Sequence, residues 1–176
     1  MNLDEFDTVY MHMDCTHTGK ESSDYFACWV IWESKRDKNF YLLDFVLRKC
    51  DPEIQARVMI GMYQKFASKV RKATFDEKSN NGFWYWCRKL AKEEYGLSLP
   101  LQELKFASDK FTHLEPTLPH FKANRVYLPS NNPMIQIASD QLLAFPTKGV
   151  HDDMVDLMSW LLSNYTKTHK EFEFIL

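Results

Sequence analysis

Val9-Tyr10-Met11-His12-Met13-Asp14-Cys15-Thr16 is the stretch that decides the fold. Side chains alternate across a strand, so Met11, Met13 and Cys15 fall on one side and Tyr10, His12 and Asp14 on the other. Apolar bulk on both sides suits a central strand covered on both faces. An ionised Asp14 at the end of such a strand is costly unless a cation accompanies it. The alternative is an Asp that caps a turn through Thr16 or Thr18.

The segments on either side extend the pattern. Gly19 to Asp24 reads as a polar turn, and Tyr25 to Glu33 and Asn39 to Arg48 as two further strands rich in β-branched and aromatic residues. The short charged link Ser34 to Lys38 fits a hairpin, so three consecutive antiparallel strands are expected. From Pro52 to Lys72, Ile54, Val58, Met59, Met62, Tyr63, Phe66 and Val70 recur at helical spacing behind a proline in the first turn. Ala73 to Asp76 reads as a short buried strand, and Gly82 to Tyr95 as a helix stopped by Gly96. Leu101 to Phe106 and Arg125 to Leu128 are further strands, Pro133 to Phe145 a helix, and His151 to His169 a final amphipathic helix. This order is that of an α/β, ribonuclease H-like mixed sheet of five or more strands, the first three antiparallel, with helices on both faces. No repeat or low-complexity tract divides the chain, so residues 1–176 are expected to form a single domain.

Composition narrows the function. With 176 residues, 45% hydrophobic and 15% aromatic, the chain has material for one substantial core. A net charge of -2 neither demands nor excludes a polyanionic partner. Cysteines at 15, 28, 50 and 87 are too scattered for a zinc knuckle or a redox pair, and no secretory leader is evident, so a reducing cytoplasm is expected. No apolar run approaches the roughly 20 residues that cross a bilayer, so no membrane is expected as a partner. The five glycines fit neither the phosphate-wrapping loop of ATPases nor the dinucleotide fingerprint.

The chemistry lies in the acidic residues. His151-Asp152-Asp153-Met154-Val155-Asp156 opens the last helix with three carboxylates on one arc of about 100°, apart from the apolar face of Met154, Leu157, Met158, Leu161, Leu162 and Tyr165. The alternative is an acidic first turn that complements the helix dipole, which accounts better for one or two such residues than for three beside a histidine. Asp76, in Phe75-Asp76-Glu77-Lys78, closes its strand where ligands of open α/β sheets gather. Asp14, Asp76, Asp152, Asp153 and Asp156 are therefore the candidate metal ligands, with Asp14, Asp76 and Asp153 as the core set. Hard oxygen donors without cysteine favour Mg²⁺ or Mn²⁺, and ligands drawn from two strands and a helix point to phosphodiester hydrolysis with two ions. Lys78 is placed to offset phosphate charge. Lys110, Lys122 and Arg125 are among the cations available to hold a DNA backbone.

The same residues carry a family resemblance. Asp14-Cys15-Thr16 through Gly19-Lys20-Glu21-Ser22-Ser23-Asp24-Tyr25, then Phe75-Asp76-Glu77-Lys78 with Gly82, Lys110, Arg125-Val126-Tyr127-Leu128-Pro129, and Phe145-Pro146 ahead of His151-Asp152-Asp153-Met154-Val155-Asp156 resemble the nuclease domain of tailed-phage large terminases. The resemblance implies a resolvase-type, ribonuclease H-like endonuclease that cuts concatemeric double-stranded viral DNA during packaging. It implies a first-strand metal ligand at Asp14, an acidic ligand at Asp76 where many relatives carry Glu, and the helix signature at Asp152, Asp153 and Asp156. It also implies a packaging ATPase domain, a portal and a small terminase subunit as partners, in the host cell cytoplasm. The ATPase domain usual in large terminases is not among these residues, and Lys110 is followed three positions later by His113 where relatives often carry Arg. Rival readings are a junction resolvase or transposase-type enzyme of the same fold, and a non-catalytic docking module of the packaging motor.

Overall fold

A computed structural model describes residues 9–16, 24–76, 81–104, 114–145, 147 and 151–159. Its centre is a six-stranded mixed sheet, β1 (Val9–Asp14), β2 (Phe26–Glu33), β3 (Phe40–Arg48), β4 (Val70–Asp76), β5 (Leu101–Leu104) and β6 (Val126–Tyr127), in the order β5-β4-β1-β2-β3-β6. β1 to β3 form the expected antiparallel meander. β4 adds to the free side of β1 in parallel, and β5 to β4.

The helices are α1 (Pro52–Phe66), α2 (Asn81–Tyr95), α3 (Leu118–Lys122) and α4 (Ile135–Ala144), with α5 over residues 153–159. α1 starts as its sequence suggests, with Pro at the first turn and Glu53 beside it. It ends at Phe66, earlier than the apolar spacing implies. Val70 continues that spacing, but it begins β4, where its neighbour is Val9 of β1. α2 ends at Gly96, whose φ of 65° is cheap only for glycine. The N–H groups of Gly96 and Leu97 donate to the carbonyls of Lys92 and Ala91 at 3.2 and 3.0 Å and close the helix.

β1 is covered on both sides, as its alternation implies. Val9, Met11 and Met13 join Ala56, Met59, Ile60 and Phe66 of α1 and Trp84, Cys87 and Ala91 of α2 in one core. Trp84 stacks on Phe75 with ring centroids 4.0 Å apart. On the other face Ala27, Trp29, Ile31, Phe45 and Leu47 pack with Ala138 of α4 and Met154, Leu157 and Met158 of α5. Met154, Leu157 and Met158 of the last helix are thus anchored in the core, which fixes where its acidic first turn lies. Among the described residues no helix is long and apolar enough to cross a membrane.

Candidate metal centre

The sheet delivers its acidic residues to one end. β1 and β4 are parallel, with Met13 beside Phe75, so Asp14 and Asp76 are the next residues on neighbouring strands. β2 enters the sheet at the same end, where Ala27 pairs with Asp14, and Asp24 and Tyr25 lie just before it. The side chain of Asp76 lies outside the described residues.

α5 brings the third acidic element to this end. The backbone N–H groups of Tyr25 and of Asp153 itself favour the charged form of the Asp153 carboxylate. Gln141 Nε2 of α4 donates to Asp153 Oδ2 at 3.4 Å, and His151 Nδ1 lies 3.8 Å from the same oxygen and 3.7 Å from Asp24 Oδ1. The His151 ring also meets Tyr25 edge-on at 5.1 Å. Asp153 is only 4% exposed. Burial, and then the Asp24 carboxylate, raise its pKa above the usual carboxylate range, against the pull of His151 and the two N–H groups. A buried carboxylate penalised in this way is suited to a cation. Asp152 and Asp156 are half-buried and one turn apart, the Asp156 N–H donating to the Asp152 carbonyl at 3.0 Å.

The neighbours of Asp14 preserve the negative character of this end. His12, two residues earlier on the same side of β1, is 3% exposed, with Nδ1 2.8 Å from Thr74 Oγ1 and its ring edge-on to Trp29. Burial lowers its pKa to about 3, so it is neutral at physiological pH and brings no positive charge next to Asp14. Burial and the Asp14 charge push the Cys15 thiol well above its ordinary pKa, leaving oxygen as the donor chemistry. Beyond Asp14 the chain is pinned by Gln55, fully buried in the first turn of α1. Its Nε2 donates to Thr16 O, Thr16 Oγ1 and Cys50 O at 3.1, 2.9 and 2.7 Å.

Of the remaining expected contacts, Lys122 and Arg125 are among the described residues. Lys78 and Lys110 lie outside the described residues. Lys122 and Arg125 precede β6, which pairs with the opposite end of β3 from the acidic cluster, roughly 25 Å away along the strand. The Arg125 guanidinium donates to the Lys38 carbonyl and is held there. Among the described residues, no group of three or more His, Cys, Asp or Glu side chains stands arranged to hold a metal ion. Asp24, Tyr25, Gln141 and Gln55 are the participants that sequence reasoning gave no role. Asp24-Tyr25 lay inside a quoted motif, but nothing marked the two glutamines.

The family model of the terminase RNaseH-like domain matches residues 11–165. The chain belongs to this family. As a terminase RNaseH-like domain, it is similar in fold to the human cytomegalovirus terminase nuclease domain, with a TM-score of 0.65 and 10% identity over 91% of this chain and 83% of that one. The P22 large terminase nuclease domain matches with a TM-score of 0.60 and 9% identity over 92% and 81%. The large terminase nuclease domain of bacteriophage SPP1, solved with bound Mn, matches with a TM-score of 0.50 and 14% identity over 78% and 69%. A search of curated proteins finds no match. At such identities the likeness concerns the fold, and the terminase RNaseH-like domain shares its mixed sheet with antiparallel β1-β2-β3.

Proposed function

We propose that this chain is a Mg²⁺- or Mn²⁺-dependent endonuclease that cuts double-stranded viral DNA concatemers during genome packaging, with little sequence preference. The observation that carries the reading is the buried, charge-penalised Asp153 held at the end of the sheet where β1 and β4 finish at Asp14 and Asp76. The SPP1 nuclease domain, similar in fold, is solved with bound Mn, which supports the use of a divalent metal.

Asp14, Asp76 and Asp153 would hold the ions, with Asp152 and Asp156 as additional carboxylates of the same helix turn and a half. Two such ions, when bound, supply an activated water and a counter-charge for the leaving 3′ oxygen. The protein's own groups do the rest. Gln141 Nε2 donates to the Asp153 carboxylate, Gln55 fixes the chain that leaves Asp14, and neutral His12 leaves the cluster negative. A duplex that reaches Lys122 or Arg125 is held well away from the scissile phosphate, so these two residues, with Lys78 and Lys110, would contribute to binding. Residues 1–176 would act as one nuclease domain in the host cell cytoplasm, with a packaging ATPase domain, a portal and a small terminase subunit as partners.

Nicking of supercoiled plasmid in Mn²⁺ or Mg²⁺, with EDTA as control, tests the activity. A folded wild-type chain that cuts no DNA in either metal contradicts it. Preference for a four-way junction over a linear duplex would shift the reading to a resolvase.

A further inference from the structure

Gln141 is a buried amide on α4, on the same inward side as Ala138 three residues before it, where the surrounding core is apolar. A polar group at such a position is costly unless both ends of it are used. Both are used, and both reach α5. Oε1 accepts from the Met154 N–H at 2.7 Å, and Nε2 donates to Asp153 Oδ2 at 3.4 Å. The first bond satisfies one of the N–H groups that every helix leaves unpaired at its start, a task the aspartates therefore need not perform. The second acts on the carboxylate itself.

We propose that Gln141 is a positioning residue for Asp153. Its amide sets the rotation of the carboxylate and the location of the helix that carries it, so that the free lone pairs face a divalent cation. The inference rests on the metal-centre reading above. The chemistry of the amide is matched to this task. A lysine or arginine there would neutralise Asp153 and compete with the cation. A second carboxylate would repel it. A neutral donor occupies one lone-pair direction and leaves the others open. Outer partners of metal-binding carboxylates act in this way, and their removal commonly weakens metal binding 10- to 100-fold.

The test is Mn²⁺ binding by isothermal titration calorimetry on the full chain, together with the Mn²⁺ dependence of plasmid nicking. Gln141→Met keeps the volume and removes both bonds. It is expected to weaken Mn²⁺ binding about tenfold or more and to raise the Mn²⁺ concentration for half-maximal nicking in parallel. Turnover at saturating Mn²⁺ is expected to stay within about threefold, because the ligands themselves remain. Gln141→Asn, one methylene too short to reach Asp153, is expected to behave alike and serves should Gln141→Met not fold. Met59→Ala, in the core on the opposite face of the sheet, controls for lost stability and is expected to leave the affinity unchanged. Affinity equal to wild type in the Gln141 variants, or lost equally in Met59→Ala, overturns the positioning role. A wild-type chain that binds no Mn²⁺ overturns the metal-centre reading and this inference with it.

Discussion

Acidification tests the buried histidine beside Asp14. His12 has a pKa of 6.5 when unfolded and about 3 in the fold, because burial disfavours its charged form. Between these values the unfolded chain binds a proton that the folded chain does not. The stability His12 contributes is therefore complete above pH 6.5 and is lost as the pH falls toward 3. From pH 7 to pH 5 the loss amounts to about 2 kcal/mol, or about 4–8 °C in Tm for a domain of this size. The assay is urea unfolding in metal-free buffer at both pH values, comparing wild type with His12→Gln, which has no proton to take up. Asp153, with its raised pKa, works in the opposite sense, since its ionised form is the penalised one, but it is present in both proteins and cancels. Wild type is expected to lose about 2 kcal/mol more than the variant. Equal losses would show that His12 protonates in the fold and that the acidic end carries a positive charge beside Asp14, refuting the electrostatic account.

Two further outcomes follow from the same geometry. Asp153→Asn is expected to equal or exceed wild type in thermal stability without metal, because it removes a buried charge that burial and Asp24 disfavour, and to lose the Mn²⁺-induced rise in Tm. That rise, read by differential scanning fluorimetry, is expected to be about 5–10 °C in wild type with one ion at a hundredfold its dissociation constant, equivalent to about 2.7 kcal/mol. Lys122→Ala is expected to reduce the slope of log affinity against log salt for duplex DNA by about one, measured by fluorescence anisotropy. An unchanged slope would remove Lys122 from the phosphate contacts.

The meander was legible because β1 to β3 announce themselves locally, by alternation within each strand and by the charged turn between Glu33 and Phe40. The end of α1 was not. Val70 suits a fourth helical turn as well as a first strand residue, and Val9, which it meets in the sheet, is 61 residues away. The candidate site divides in the same way. Asp14, Asp76 and Asp153 stand out because carboxylates at strand ends and at the start of an apolar helix are conspicuous in one dimension. That β1 and β4 are neighbours in parallel register, which aligns Asp14 with Asp76, is a property of the sheet alone. Gln141 carried no signal, since its role depends on two atoms that reach α5 across the connection from α4.

The central claim is that Asp14 and Asp153 serve one metal-dependent cutting site, and nicking of supercoiled plasmid tests it most directly. Purified wild type, Asp14→Asn and Asp153→Asn are incubated with plasmid in Mn²⁺, in Mg²⁺ and in EDTA, with circular dichroism to verify folding. Wild type is expected to convert supercoiled plasmid to open and linear forms only with metal, and each folded variant to lose at least about a hundredfold in rate. Equal nicking by wild type and both variants would contradict the claim.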